Sequence, residues 1–306
     1  MSEHEAGRGY ATPRALEMAV KSAAERSPMD TGRAMSAFWF HRLLCRVFAD
    51  GNDRFVLKGG RAMLARTVDA RATRDIDLLA RGNDLGEAIE ELKALAAADL
   101  GDQVRFAFAA ADPIKADDEY RSGAKLVFDM WLGPKRMQPV SIDLVVDEVP
   151  LERAERVSPA DRIVVRGIEG CDYLVYPVEA ALADKFCGIF ERHQGRPSSR
   201  VKDLVDVAVY ATTCDADGAK LRARLLRELG ARGIPVPDGF GVPGEWGQAA
   251  YSKAYGKQAA GTGLPERLHD VREAAGLGET LFDPVLNGGA AGRRWAHDRL
   301  AWVRPA

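Results

Sequence analysis

VLKGGRAMLARTVDARATRDIDLLA, residues 56–80, decides the fold of this chain. Arg54–Lys58 reads as a strand and Gly59-Gly60 breaks it. Arg61–Val68 resumes as a helix, and Arg74–Ala80 reads as a second strand. A side-chain period of two sends Asp75 and Asp77 to one face of that strand and Ile76 and Leu78 to the other. Two carboxylates on one face repel each other unless a cation neutralises them.

Hard oxygen ligands at this spacing suit Mg²⁺, which takes one or two carboxylates and completes its shell with substrate phosphates. Such a pair can hold two metals that activate an attacking hydroxyl and stabilise a leaving pyrophosphate. Asp143, in Ser141-Ile142-Asp143-Leu144-Val145, faces opposite to Ile142 and Leu144 by the same alternation. If its strand neighbours Asp75–Leu78, three carboxylates cluster. Asp75, Asp77 and Asp143 are therefore the expected metal ligands, with Asp143 also the base toward an acceptor hydroxyl. Glycines between strand and helix let backbone N–H groups approach a triphosphate at a helix N-terminus. A plain tight turn would read the same way. Gly-Gly and DxD are each weak signals; their order, with a later Asp strand, is specific.

Outward from this core, helices are expected over Ala15–Glu25 and Ala34–Ala49, and residues 1–14 carry no anchoring pattern. Asp84 caps a helix with the apolar stripe Leu85, Ile89, Leu92 and Ala96. Gln103–Ala109, Lys125–Leu132 and Val140–Val146 read as strands, the last two joined through Gly133-Pro134. Arg162–Arg166 is a shorter strand candidate. The texture then turns helical. Pro177 opens a helix running to His193, and Ser199–Ala211 and Leu221–Leu229 follow. Gly230–Gly247 reads as loop, and Glu266–Ala275 and Arg293–Val303 as closing helices. Trp295 and Trp302 are expected to pack that last helix on the core, with Trp246 and Tyr251 as rim aromatics. Two domains are expected, 1–170 with the carboxylate core and N-terminal helices, and 171–306, mainly helical.

The 306 residues are 46% hydrophobic and 29% charged, the mixture of a globular protein. No apolar run approaches the ~18–20 residues that span a bilayer. The first ten residues lack the basic-then-apolar layout of a signal peptide, so a cytoplasmic protein is expected. A net charge of −2 leaves nucleic-acid contact to a local patch rather than to the whole surface. Cys45, Cys171, Cys187 and Cys214 form no CxxC pair, and neither a zinc site nor a disulfide framework is expected.

A second cluster comprises Asp184-Lys185, then Arg200, Lys202, Asp203 and Asp206. Asp203 and Asp206 are at i and i+3 and share a helix face. A lysine held between them could bind nucleotide phosphates or could form an interhelix salt bridge; spacing leaves both open. Arg192, Arg196, Arg200 and Lys202, and separately Arg293 and Arg294, could track a phosphate backbone or simply face solvent.

These residues resemble the AbiEii/AbiGii toxin family of nucleotidyltransferases, the MenT-type toxins included, within the polymerase-β-like superfamily. The resemblance rests on Val56-Leu57-Lys58-Gly59-Gly60, Thr73-Arg74-Asp75-Ile76-Asp77-Leu78, Ser141-Ile142-Asp143-Leu144, and Asp184-Lys185 with Arg200-Val201-Lys202-Asp203-Leu204-Val205-Asp206. Phe282-Asp283-Pro284 leading to Trp295 matches the closing pattern, so coverage runs from about residue 35 to the end. The resemblance implies an α+β fold, a mixed sheet with flanking helices plus a helical C-terminal half. It implies a Mg²⁺-dependent toxin of a toxin–antitoxin or abortive-infection system that transfers NMP from an NTP to RNA, the tRNA 3′ end in some members. It also implies a cognate antitoxin as partner.

Carried over residue by residue, Asp75 and Asp77 match the metal pair, and Gly59 and Gly60, after Lys58, the phosphate loop. Lys185 matches the motif lysine, and Asp203 with Asp206 the acidic motif. Many superfamily members have Ser after the first Gly. This chain has Gly60 then Arg61, and Arg61 is expected to substitute as a cation. Two rivals remain: a small-molecule transferase of the antibiotic-modifying kind with the same carboxylates, and a non-catalytic relative that binds an antitoxin or nucleic acid.

Overall fold

The computed structural model describes residues 9–73, 75–82, 84–114, 121–147, 153–193 and 195–304. Arg74, quoted in the second strand, lies outside them. The chain divides into two compact units, residues 1–68 with 73–175, and residues 69–72 with 176–306.

The first unit opens with α1 (Pro13–Glu25) and α2 (Thr31–Val47). Thr12 caps α1 by accepting from Ala15 N, with Pro13 at the first helical position where no N–H is needed; Asp30 caps α2. Then come β1 (Phe55–Lys58), α3 (Gly59–Arg66), β2 (Asp75–Ala80) and α4 (Leu85–Ala96), the last capped by Asp84 as expected. The remaining strands are β3 (Val104–Pro113), β4 (Arg121–Leu132), β5 (Lys135–Arg136), β6 (Val140–Asp147), β7 (Glu155–Val157) and β8 (Tyr173–Val175). The main sheet runs β3-β4-β6-β2-β1-β8-β7, with β5 paired to β4. β2 with β6 and β1 with β8 are parallel, and the other pairs are antiparallel. The fold is thus α+β with a mixed sheet. Its interior strand β1 buries Phe55, Val56 and Leu57 in succession, the pattern of a strand covered on both faces. No strand forms over Arg162–Arg166, which runs as loop into a turn.

A buried ion cluster ties α2 to the loop before β3. Arg46 Nη2 lies 2.8 Å and Arg42 Nε 2.6 Å from the Asp102 carboxylate, while Arg46 also donates to the carbonyls of Ala98 and Val104. Burial raises the Asp102 pKa, but Arg46 and then Arg42 outweigh it and hold the carboxyl below its ordinary range.

The second unit contains α5 (Val178–Phe190), the short hairpin β9 (Arg192–His193) and β10 (Arg196–Pro197), α6 (Val201–Thr213), β11 (Ala216–Asp217), α7 (Gly218–Ala231), α8 (Ala249–Ala259), α9 (Val271–Leu286), β12 (Arg294–Ala296) and β13 (Ala301–Val303). Phe186, Phe190, Phe240 and Phe282 form an aromatic core, Phe186 and Phe282 meeting edge to face at 4.9 Å.

Four expectations change here. The helix from Pro177 stops at Phe190, and Arg192–His193 pairs with Arg196–Pro197 around Gly195, whose φ of 76° suits glycine in a tight turn. Arg293–Val303 is not a helix: Trp295 and Trp302 face each other across β12 and β13, and their indole N–H groups donate to Ala211 O and Leu281 O. The separation i to i+7 fits two helical turns and equally a short hairpin, so the aromatic pair alone did not discriminate. Glu266–Ala275 divides into a 3₁₀ turn, Glu266–His269, and the start of α9, which Asp270 caps. Trp246 is fully buried rather than on a rim, its indole donating to Ser198 O.

Replacing Asp102 with Asn should leave two buried guanidinium groups short of a counter-charge. The expected loss is about 3–5 kcal/mol, read as a lower urea midpoint at unchanged slope.

Candidate active site

The carboxylates lie on neighbouring strands of the first unit. β2 and β6 pair in parallel with Asp77 opposite Asp143 and Asp75 opposite Ser141. Ile76, Leu78, Ile142 and Leu144 are all fully buried, so the alternation that packs the core turns Asp75, Asp77 and Asp143 to the other face, where each is partly exposed. Burial of one face thereby fixes the register that assembles the three acids.

On the other side of β2, the antiparallel pairing with β1 sets Lys58 opposite Asp77. Gly59 follows with φ of 64°. A Cβ there would lie 1.9 Å from Asp77 Oδ2, so the missing side chain is what lets the Asp77 carboxylate sit against the start of α3. Gly60 packs against Thr73, whose Cβ would be 3.1 Å from an added Cβ.

Sequence reasoning missed Lys125. On β4 it is paired opposite Asp143, and its Nζ stands 3.4 Å from Asp75 Oδ1 and 3.6 Å from Asp143 Oδ1. Burial disfavours the charged ammonium, but Asp143 and Asp75 together outweigh it and hold its pKa above the usual range. A cation thus already sits among these acids, as their mutual repulsion requires. The connection through Gly133-Pro134 joins the strand of Lys125 to that of Asp143, but the register that sets Lys125 opposite Asp143 does not follow from the sequence pattern.

Arg61, expected as a phosphate cation, is engaged by the protein itself. It is 4% exposed, pairs with Asp161 at 3.1 Å and lies over the Phe40 ring. Burial raises the Asp161 pKa above its usual range despite the opposing effect of Arg61.

In the second unit the motif residues meet. Lys185 Nζ is 3.0 Å from Asp203 Oδ1 and 2.8 Å from Asp206 Oδ2. Arg71 grips Asp206 through two contacts and Arg200 Nε reaches Asp203 at 2.7 Å. Gly188 leaves room for this, since a Cβ there would fall 2.5 Å from Asp203 Oδ2. Burial disfavours charge on Lys185, but Asp203 and Asp206 overcome it and raise its pKa. Burial likewise raises that of Asp206, but Lys185 and Arg71 overcome it and lower the pKa. Arg71 is the member that spacing had not indicated.

Of the basic residues, Arg200 is engaged in this cluster and Arg294 pairs with Asp215. Arg192, Arg196, Lys202 and Arg293 are exposed.

The profile of the AbiEii family, described as nucleotidyl transferase AbiEii toxin of a type IV toxin–antitoxin system, matches residues 42–286. The chain belongs to this family. It is accordingly a nucleotidyltransferase, with an NTP as substrate and a cognate antitoxin as partner. The match spans the carboxylate strands and the Lys185 cluster alike.

Two crystal structures from Helicobacter pylori are similar to this chain. JHP933 is 15% identical with a TM-score of 0.42, over 84% of this chain and 94% of that one. A protein described as a candidate nucleotidyltransferase is 14% identical with a TM-score of 0.40, over 86% of this chain and 98% of that one. No curated protein sequence matches the chain. Among the described residues no helix is long and apolar enough to cross a membrane.

Two tests follow from this AbiEii geometry. Gly59→Ala meets both a positive φ and the Asp77 carboxylate, and should destabilise by about 1–3 kcal/mol in chemical denaturation. The depressed Asp206 pKa contributes stability that is present above the ordinary Asp value, near ~4, and lost as pH falls through the folded value. Asp206→Asn should therefore lower stability at neutral pH by roughly 3–5 kcal/mol. It should also flatten the fall in melting temperature below about pH 4 relative to the native chain.

Proposed function

We propose that this AbiEii-family toxin transfers NMP from an NTP to the 3′ end of an RNA, with tRNA as the acceptor. The reading rests above all on one observation: Asp77 and Asp143 are register partners on parallel strands, with Asp75 on the same face and the bare Cα of Gly59 against Asp77. The donor set fits Mg²⁺, being all carboxylate oxygen, and Lys125 occupies the same acidic surroundings as a protein cation. Asp75, Asp77 and Asp143 would hold that ion, which supplies charge neutralisation at the triphosphate and acidifies the acceptor hydroxyl.

The chain's own residues carry the rest. The start of α3 at Gly59-Gly60 offers backbone N–H groups to phosphate oxygens, with the helix dipole favouring the anion. Lys58 adds positive charge beside them. Asp143 accepts the proton of the RNA hydroxyl; that oxygen forms its bond to the α-phosphorus, the bond to the bridging oxygen of the β-phosphate breaks, and pyrophosphate leaves. In the second unit, Lys185 with Asp203 and Asp206 forms the cluster that the family motif assigns to the nucleotide phosphates. The exposed Arg192, Arg196 and Lys202 supply basic surface to an RNA backbone. The reaction so proposed, on NTP and RNA, is a cytoplasmic one.

The deciding experiment incubates the purified protein with each labelled NTP in turn, total RNA, purified tRNA or an aminoglycoside, with and without Mg²⁺. Label should enter RNA only with Mg²⁺. Asp77→Ala should abolish both labelling and growth inhibition, and Asp143→Asn should lower the rate by roughly 10²–10⁴. Label in the aminoglycoside alone would establish small-molecule transfer instead, and undiminished toxicity of Asp77→Ala would remove the enzymatic reading.

A further inference from the structure

Among the described residues, one set of side chains brings three potential metal-ligand atoms within 4.8 Å of one another: His41, Cys45 and Cys171. All three belong to the first unit. His41 and Cys45 stand at i and i+4 on α2 and so share a face. Cys171 comes from the loop just before β8. The cysteines are far apart in sequence, so no motif spacing announces them.

The spacing of His41 and Cys45 is that of neighbouring ligands in a tetrahedral site. Cys45 Sγ lies 3.4 Å from His41 Nε2, and ligands around zinc, at 2.3 Å for sulfur and 2.0–2.1 Å for nitrogen, stand about 3.5 Å from each other. His41 Nδ1 is hydrogen-bonded to Tyr173 Oη. In the tautomer that donates Nδ1–H to that oxygen, the lone pair is on Nε2, the nitrogen nearer Cys45. This is the orienting bond that metal-binding imidazoles usually make.

Arg42 Nη1 stands 3.7 Å from Cys45 Sγ as a donor to sulfur, while its Nε is bound by Asp102. Gly170 keeps Nε2 approachable, because a Cβ there would sit 3.2 Å from it. A cavity of about 150 Å³ adjoins the cluster, lined by Phe38, His41, Arg162, Glu169 and Gly170 among others, with room for water. The thiols are unequal. A hydrogen bond with Cys171 lowers the Cys45 pKa against the cost of burial, with help from His41 and Arg42, while that of Cys171 is raised.

We propose that His41, Cys45 and Cys171 bind a zinc-class divalent cation, with water from the adjoining cavity as fourth ligand. Binding releases the thiol protons to solvent and leaves two thiolates against one dication, a neutral set. It stitches α2 to the loop that precedes β8. That loop also carries Asp161, the partner of Arg61 in α3, so the cation would steady the helix that begins at Gly59. The site is separate from the carboxylates and does not rest on the proposed reaction.

The test uses the full-length chain, reduced and stripped of metal, titrated with Co²⁺ and then Zn²⁺. One equivalent of Co²⁺ should give thiolate-to-cobalt charge-transfer absorption that Zn²⁺ abolishes. Cys171→Ser should remove the absorption, Cys214→Ser should leave it, and Tyr173→Phe should weaken Co²⁺ binding roughly 10–100-fold. On the unmutated chain, peptide mapping should show Zn²⁺ slowing alkylation of Cys171 and not of Cys214, which decides the matter if a variant fails to fold. Absence of charge transfer, or alkylation of Cys171 indifferent to Zn²⁺, would overturn the site. So would a Cys45–Cys171 disulfide that persists in the reduced chain.

Discussion

The parallel pairing of β2 with β6 is the constraint on which the rest of the first unit depends. It sets Asp77 opposite Asp143, two like charges at a spacing that a sheet ordinarily avoids. The pairing holds because Ile76, Leu78, Ile142 and Leu144 bury the opposite face completely. A slip of one residue would send those side chains to solvent and the acids into the core. The hydrophobic face therefore holds in place a charge arrangement that would not persist by itself. Lys125 on β4 offsets part of the repulsion, and partial solvent exposure screens more of it. The remaining demand for positive charge is a property that suits triphosphate and cation chemistry.

Buried charge recurs where helices pack against other parts of the chain. Asp102 draws Arg42 and Arg46 of α2 together, and Asp203 with Asp206 joins α6 to Lys185 of α5. Such clusters add little net stability over an apolar core, because desolvation consumes most of the attraction. Their effect is directional: each carboxylate accepts at fixed angles and so fixes a helix rotation. Glycine at position 188 belongs to the same design, since any side chain would collide with Asp203.

How much was legible depended on distance along the chain. The strand, Gly-Gly, helix and DxD strand were read from a window in which each residue constrains the next, and the family followed from four ordered motifs. Arg61 is read as a phosphate cation because it follows the expected phosphate loop in sequence; its partner in the structure, Asp161, is remote. Lys125 is missed because its meaning comes from the β4–β6 register, which the connection through Gly133-Pro134 alone does not set. The closing helix was misread because Trp295 and Trp302 repeat at a separation common to two helical turns and to a hairpin. The helix α8 was not anticipated: among its described side chains only Tyr255 and Ala259 are buried, too few to mark an apolar stripe.

By itself the sequence determined the glycine break between β1 and α3, the facing of Asp75 and Asp77, and membership of the AbiEii family, because backbone periodicity and glycine's conformational freedom act over a few residues. Only the tertiary structure decided that Asp143 is the register partner of Asp77, that Lys125 sits among the acids and that Arg61 is buried. It also decided that His41 and Cys45 meet Cys171. These depend on which strands and loops become neighbours, and that is settled by burial of the whole core rather than by any local run of residues.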